Sequence, residues 1–149
     1  MNKTPWNYAL SLLARREYSR KELYQKLSSH FPDHSHQQVE DVLNRLKSAG
    51  LQSDERMADA WARFRYQRGK GPLLIARELS GKGISEQFVR ESLSQPELEW
   101  QHMAYAAAQK KWRTLQQDEQ AKMKLIRFLS GRGFSFDHIE IALEQLGNL

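Results

Sequence analysis

The chain has no cysteine, so it can build neither a disulfide framework nor a thiolate metal site, and it offers no thiol nucleophile. It also lacks any run of 18 consecutive apolar residues of the kind that crosses a membrane as a helix. The opening Met1-Asn2-Lys3-Thr4-Pro5-Trp6 holds no apolar stretch of signal-peptide length. These absences together lead to the expectation of a soluble protein of the cytoplasm. Strand patterns of useful length are missing as well. The serines stand in caps and turns, outside any Gly-x-Ser-x-Gly setting. Gly69-Lys70-Gly71 and Gly81-Lys82-Gly83 fit neither the phosphate-loop pattern nor a dinucleotide-binding fingerprint. His30, His34 and His36 are close in sequence, but no carboxylate-histidine helix motif accompanies them, and a polar turn accounts for them. Glu97 with Glu99 and Asp118 with Glu119 stand near helix starts, where the helix macrodipole explains acids. No enzyme, no cofactor and no metal are expected.

What is present centres on residues 67 to 84. Two glycines flank Lys70 and are followed by Pro72, an order that ends one helix, turns, and starts another with proline in its first turn. That helix carries Leu74, Ile75 and Leu79 inward and Arg77 outward, and it stops at Gly81-Lys82-Gly83, where a residue free to take positive φ closes it. Gly69, Gly71, Pro72, Gly81 and Gly83 are read as the residues that set these corners. Leu79-Ser80-Gly81-Lys82-Gly83-Ile84-Ser85 returns downstream as Leu129-Ser130-Gly131-Arg132-Gly133-Phe134-Ser135, and Val89 and Leu93 map onto Ile139 and Leu143 at the same offset. With Val39 and Leu43 in the corresponding upstream places, three copies of one helical unit fill the chain. A unit of about 50 residues has a marginal core alone, so the units are expected to support one another by stacking.

Read in order, the first unit opens with Thr4 as cap and Pro5 in the first turn, and a helix through Trp6, Ala9, Leu10 and Leu13 is predicted to reach about Glu17. Ser19 with Glu22 and Ser35 with Gln38 form capping boxes for the second and third helices, the latter ended by Gly50. In the second unit Ser53 caps a helix with Met57, Ala60, Trp61 and Phe64 on one side. Ser85 caps the third helix of that unit, with Ile84 and Val89 placed as a hydrophobic staple. The third unit starts near Pro96 with an alanine-rich helix holding Trp100, Met103, Ala104, Ala107, Ala108 and Trp112. A helix from about Asp118 with Met123, Ile126, Phe128 and Leu129 follows, and the last helix runs from Asp137. The predicted fold is all-α, three tandem three-helix, helix-turn-helix-like repeats at 1–50, 51–95 and 96–149.

Charge is uneven. Residues 56 to 84 hold seven bases against Asp59 and Glu78, an excess equal to the net charge of the whole chain, +5. Third helices carry most of the acids and first and second helices most of the bases, so in-register stacking would give a basic side and an acidic side. A basic stripe points to nucleic acid or an acidic protein surface.

Arg68-Gly69-Lys70-Gly71-Pro72, Ile75, Glu78-Leu79 and Lys82-Gly83-Ile84 resemble the signature of the RecX family, bacterial regulators of the RecA recombinase. Ala9-Leu10, Leu13 to Ser19, Glu22-Leu23 and Lys26-Leu27 are similar to the family's opening unit, and Gly50-Leu51 with Asp54 to Ala58 to its passage into the second. Met57 stands where the family usually has an aromatic, and Gln52-Ser53 replace an apolar residue and an Asn or Asp. The resemblance implies a curved, elongated all-α protein; separately, a monomer is expected. The resemblance further implies binding in the groove of a RecA filament on single-stranded DNA, and inhibition of strand exchange, ATPase and coprotease activities. Arg63, Arg65, Tyr66, Arg68, Lys70, Arg77 and Lys82 are the expected contact residues, with Lys110, Lys111, Lys124 and Arg132 as a second patch. Two alternatives stand beside it. Helix-turn-helix units could bind duplex DNA directly, although Glu86 and Glu91 on the would-be recognition helix carry the wrong sign for phosphate. The chain could also be a scaffold that docks another acidic protein.

Overall fold

The computed structural model describes residues 4–147; Met1, Asn2 and Lys3, on which part of the N-terminal reading rests, lie outside the described residues. Among the described residues there are nine helices and no strand: α1 Pro5–Leu13, α2 Arg20–His30, α3 His36–Ser48, α4 Asp54–Gln67, α5 Pro72–Gly81, α6 Glu86–Leu93, α7 Trp100–Leu115, α8 Ala121–Gly131 and α9 Phe136–Leu146. No helix among them is long and apolar enough to cross a membrane.

Helix starts follow the local chemistry. Thr4 Oγ1 accepts from the Asn7 amide at 3.1 Å, and Ser19 with Glu22 and Ser35 with Gln38 close reciprocal capping boxes. Each such cap is worth about 1 kcal/mol, because the first amides of a helix have no partner within it. Ser53, Ser85 and Ser135 accept from the amides of Arg56, Phe88 and His138. Helix ends repeat too. The Gly83 amide donates to Ser80 O and the Ile84 amide to Leu79 O; fifty residues on, Gly133 donates to Ser130 O and Phe134 to Leu129 O. This double closure requires a left-handed residue, and Gly83 and Gly133 have φ of 81° and 99°.

The structure corrects several details. Gly81 is not a corner: it is the last residue of α5, without a positive φ, and an added Cβ there would meet open space. α1 ends at Leu13 rather than near Glu17, because Ala14, Arg15 and Arg16 are exposed and would add no apolar burial to a longer helix, and Arg16 folds over the ring of buried Tyr18 at 3.6 Å. α8 begins at Ala121, since Asp118 accepts from the Gln120 amide in a turn. Its inward face is Ala121, Leu125 and Leu129, at four-residue spacing, which leaves Met123 and Ile126 exposed. On α4 the buried residues are Met57, Ala58 and Ala62, while Phe64 is 45% exposed.

The chain forms two compact units, with boundaries inside α4, inside α5 and before Leu93, the last residue of α6. The first comprises residues 4–60 and 79–92. Its core is Ala9, Leu12, Tyr18, Leu23, Leu27, Val39, Leu43 and Leu46; full burial of each leucine contributes roughly 1.5–3 kcal/mol. Buried Gln52 donates from Nε2 to Tyr18 O at 3.3 Å and to Asp54 Oδ1 at 2.9 Å, and Asp54 in turn accepts from the Arg20 amide at the start of α2. A polar residue where an apolar one was expected is thus satisfied inside the fold. The second unit comprises residues 61–78 and 93–147, and its core is Ala104, Ala108, Leu115, Ala121, Leu125, Leu129, Phe134, Ile139 and Ala142.

A candidate anion-binding groove

Ten of the eleven predicted contact residues fall in the second unit; Lys82 alone lies in the first. Packing there begins with two glycines. The Gly71 amide donates to Arg132 O at 2.7 Å and the Leu73 amide to Gly133 O at 2.9 Å, so the loop before α5 is laced to the loop after α8. A Cβ on Gly71 would lie 2.4 Å from the Gly133 carbonyl carbon, and one on Gly133 would lie 2.4 Å from Leu74 Cβ. Only glycine allows backbones to approach so closely. The lacing sets Lys70 near Arg132. Partial burial first, and then the positive charges of Arg132 and Arg65, hold the Lys70 ammonium below its ordinary pKa, while Glu78 works in the opposite direction.

Beside this junction a groove of about 460 Å³ opens between the end of α4, one face of α7 and the end of α8. Arg68, Lys110, Lys111 and Arg132 line it together with Met103, Ala106, Ala107, Thr114 and Phe128, and no acid contributes to its wall. Phe128 sits under two cations, with Lys111 Nζ at 5.1 Å and Arg132 Cζ at 4.7 Å from the ring centroid. One turn before Arg68, the exposed Phe64 ring is capped by the Arg68 guanidinium at 4.8 Å. Among the described residues none of Arg68, Lys70, Lys110, Lys111 and Arg132 makes an ion pair. Gathering cations without counter-charge costs free energy that an anionic occupant recovers.

Of the remaining predicted residues, all but Arg77 are engaged within the fold. Arg65 grips Glu78 with both arms, Nε to Oε1 at 3.0 Å and Nη2 to Oε2 at 2.7 Å, and Trp61 Nε1 donates to the same carboxylate at 3.0 Å. Its charge is matched inside the chain. Lys82 reaches Glu22 at 2.9 Å and Lys124 reaches Asp118 at 2.5 Å. The Tyr66 hydroxyl accepts from the Glu99 amide at 3.1 Å, and its ring packs edge-on against Trp100. Arg63 donates to Gln95 at 2.8 Å. Arg77 is exposed on α5 and does not line the groove. The three histidines also part company: His30 stacks on Tyr8, His34 meets the edge of Phe31, and His36 shares a 2.7 Å hydrogen bond with the Tyr24 hydroxyl.

Residue reasoning missed Gly133 and the groove's floor. The seven-residue repeat already put Gly133 in the place of Gly83, and that was the available signal. Met103, Ala107 and Phe128 read as ordinary helix-face residues, with nothing local to say that they face a recess, and Ala106 was not singled out.

Comparison with known proteins agrees over most of the chain. Models of the first, second and third three-helix domains of RecX match residues 6–46, 53–93 and 97–143. The regulatory protein RecX of Chromohalobacter salexigens is 37% identical over 142 residues, covering 94% of this chain and 91% of that protein. The same-named protein of Actinobacillus pleuropneumoniae is 36% identical over 137 residues, 92% and 89% of the two chains. The fold is similar to the crystal structure of RecX from Lactobacillus salivarius, with a TM-score of 0.83 at 26% identity over 95% of this chain and 94% of that one. A second crystal structure, of regulatory protein RecX, matches in fold with a TM-score of 0.80.

Proposed function

The chain belongs to the RecX family of regulatory proteins, and from that premise we propose that it is a non-enzymatic negative regulator of RecA. In this reading it binds in the groove of the RecA filament on single-stranded DNA and inhibits the recombinase, ATPase and coprotease activities. The repeats span 1–50, 51–95 and 96–149, as the matched family domains support, and the protein works in the cytoplasm.

The observation that carries the reading is the acid-free groove in which Arg68, Lys110, Lys111 and Arg132 converge. A nucleoprotein filament presents phosphate and acidic side chains, and unmatched cations on a surface complement both. Lys70, held next to Arg132 by the glycine lacing, extends the same positive field. Arg65, Lys82 and Lys124, each already paired, are assigned to holding the fold. Arg63, Tyr66 and Arg77 are left as peripheral contacts.

The test is RecA ATPase on single-stranded DNA with increasing amounts of this protein. The wild type should suppress turnover, and the quadruple reversal of Arg68, Lys110, Lys111 and Arg132 to Glu should lose that suppression while melting like the wild type. Equal suppression by the folded variant removes the groove from the function.

A further inference from the structure

Granting that the groove of the second unit is the contact surface, the chemistry of its lining says which part of a partner it takes. We propose that it holds an acidic peptide segment with apolar anchors, a stretch of partner protein, rather than a phosphodiester backbone.

Three observations favour the peptide. First, the wall contains Arg68, Lys110, Lys111 and Arg132 and no acid, so the occupant is anionic. Second, the floor is apolar and finely stepped: Ala106 and Ala107 on α7 leave a recess beside Met103 and Phe128. Small side chains flanked by larger ones make room for an aliphatic side chain, as in grooves that accept an amphipathic helix. A phosphate-sugar chain has nothing apolar to bury there. Third, grooves for single strands offer free aromatic faces on which bases stack. Here Phe128 lies under Lys111 and Arg132, and neighbouring Phe64 lies under Arg68. Cations capping the rings leave them as part of an electrostatic wall instead of a stacking platform. Charge around the rim with apolar contact beneath matches a segment in which Asp or Glu alternates with Leu, Ile or Phe at helical spacing.

The experiment uses the full chain and two fluorescein-labelled probes of equal net charge, a Glu-rich peptide with Leu at i and i+4, and an oligothymidylate. Anisotropy is measured for the wild type, for Lys110→Glu/Lys111→Glu, and for Ala106→Glu, which places a carboxylate at an exposed helical position. The expected result is that the peptide binds, that each variant weakens it about tenfold or more, and that replacing its leucines with serine does the same. Oligothymidylate binding tighter than the peptide and lost in the same variants would overturn the proposal in favour of a phosphate groove. Peptide affinity unchanged by Ala106→Glu would overturn it too, since the floor would then not be used. A parallel co-sedimentation of the variants with RecA filaments separates the two levels. If they lose the filament without the peptide ever having bound, the filament reading stands and the peptide falls. If they keep the filament, the groove is not the contact and both fall.

Discussion

Replacing Gly71 by alanine tests the junction that builds the groove, and Gly81→Ala is its internal control. Alanine restricts the unfolded chain more than glycine does, so by itself it stabilises by about 0.4–1 kcal/mol wherever the native backbone tolerates it. Gly81 ends α5 with open space around its Cβ position and no positive φ, so Gly81→Ala should raise stability by about 0.5–1 kcal/mol. At Gly71 the new methyl would sit 2.4 Å from the Gly133 carbonyl carbon and 2.5 Å from its oxygen, against ordinary carbon contacts of roughly 3.5–4.0 Å. The methyl is fixed directly to its own backbone and meets only backbone atoms across the contact, so neither side can swing away and the loops must separate by about 1 Å. Separation stretches the 2.7 Å bond from Gly71 to Arg132 O and the 2.9 Å bond from Leu73 to Gly133 O, each worth about 0.5–1.5 kcal/mol net. Subtracting the unfolded-state gain leaves Gly71→Ala destabilising by about 1–2 kcal/mol. Urea titration followed by circular dichroism measures both variants, with equal slopes as the check that the unfolded state is unchanged. Gly71→Ala as stable as the wild type, or Gly81→Ala as damaging as Gly71→Ala, would refute the lacing.

Three further outcomes are expected. Gly83→Val, at φ 81° and with its Cβ 2.9 Å from Lys21 Cβ, should cost about 1–3 kcal/mol in the same assay, and a neutral result would refute the left-handed closure. Arg65→Ala leaves the Glu78 carboxylate, 22% exposed, without its bidentate partner, and should lower stability by about 1–3 kcal/mol; loss of filament binding at unchanged stability would instead make Arg65 a contact. Stability should also fall with acid in two windows. Burial, only partly opposed by Asp137, holds His138 below its ordinary 6.5, and its Nδ1 is buried without a partner among the described residues. Burial works to raise Glu22, but hydrogen bonds from the Ser19 amide, Lys82 and Arg16 outweigh it and leave its carboxyl below 4.5. Both folded values are depressed, so each contribution is present above the ordinary value and lost as the pH falls through the folded one. His138→Gln should flatten the first window and Glu22→Gln the second in melting temperature against pH, and unchanged profiles would contradict the assignments.

How much was legible follows from how far apart the interacting residues lie. Ser19 with Glu22, Ser35 with Gln38 and the Gly83 closure were readable because each motif is complete within a few residues. The repeat that gave three helical units was readable for a different reason, since matching residue types between segments needs no knowledge of which residues touch. Helix faces were read less well, since Met123 and Ile126 on α8 and Phe64 on α4 have the residue type of a core without its position. What pairs across the fold could not be read at all. Lys82 meets Glu22 at 60 residues' separation, and Arg65 meets Glu78 at 13, so a count of bases could not show that these charges are matched inside the chain. The groove is the same lesson in reverse: α4, α7 and α8 each contribute a fragment that looks like a solvated helix end, and only the contact of Gly71 with Gly133 places the loops before α5 and after α8 together.

The most direct measurement is electron microscopy of RecA filaments on single-stranded DNA with this protein added, wild type beside the folded Arg68, Lys110, Lys111 and Arg132 reversal. Added density along the filament groove for the wild type, with the end of α4, α7 and α8 against the filament, and bare filaments for the variant are the predicted result. Filaments left bare by the wild type, or decorated equally by both proteins, would contradict the account.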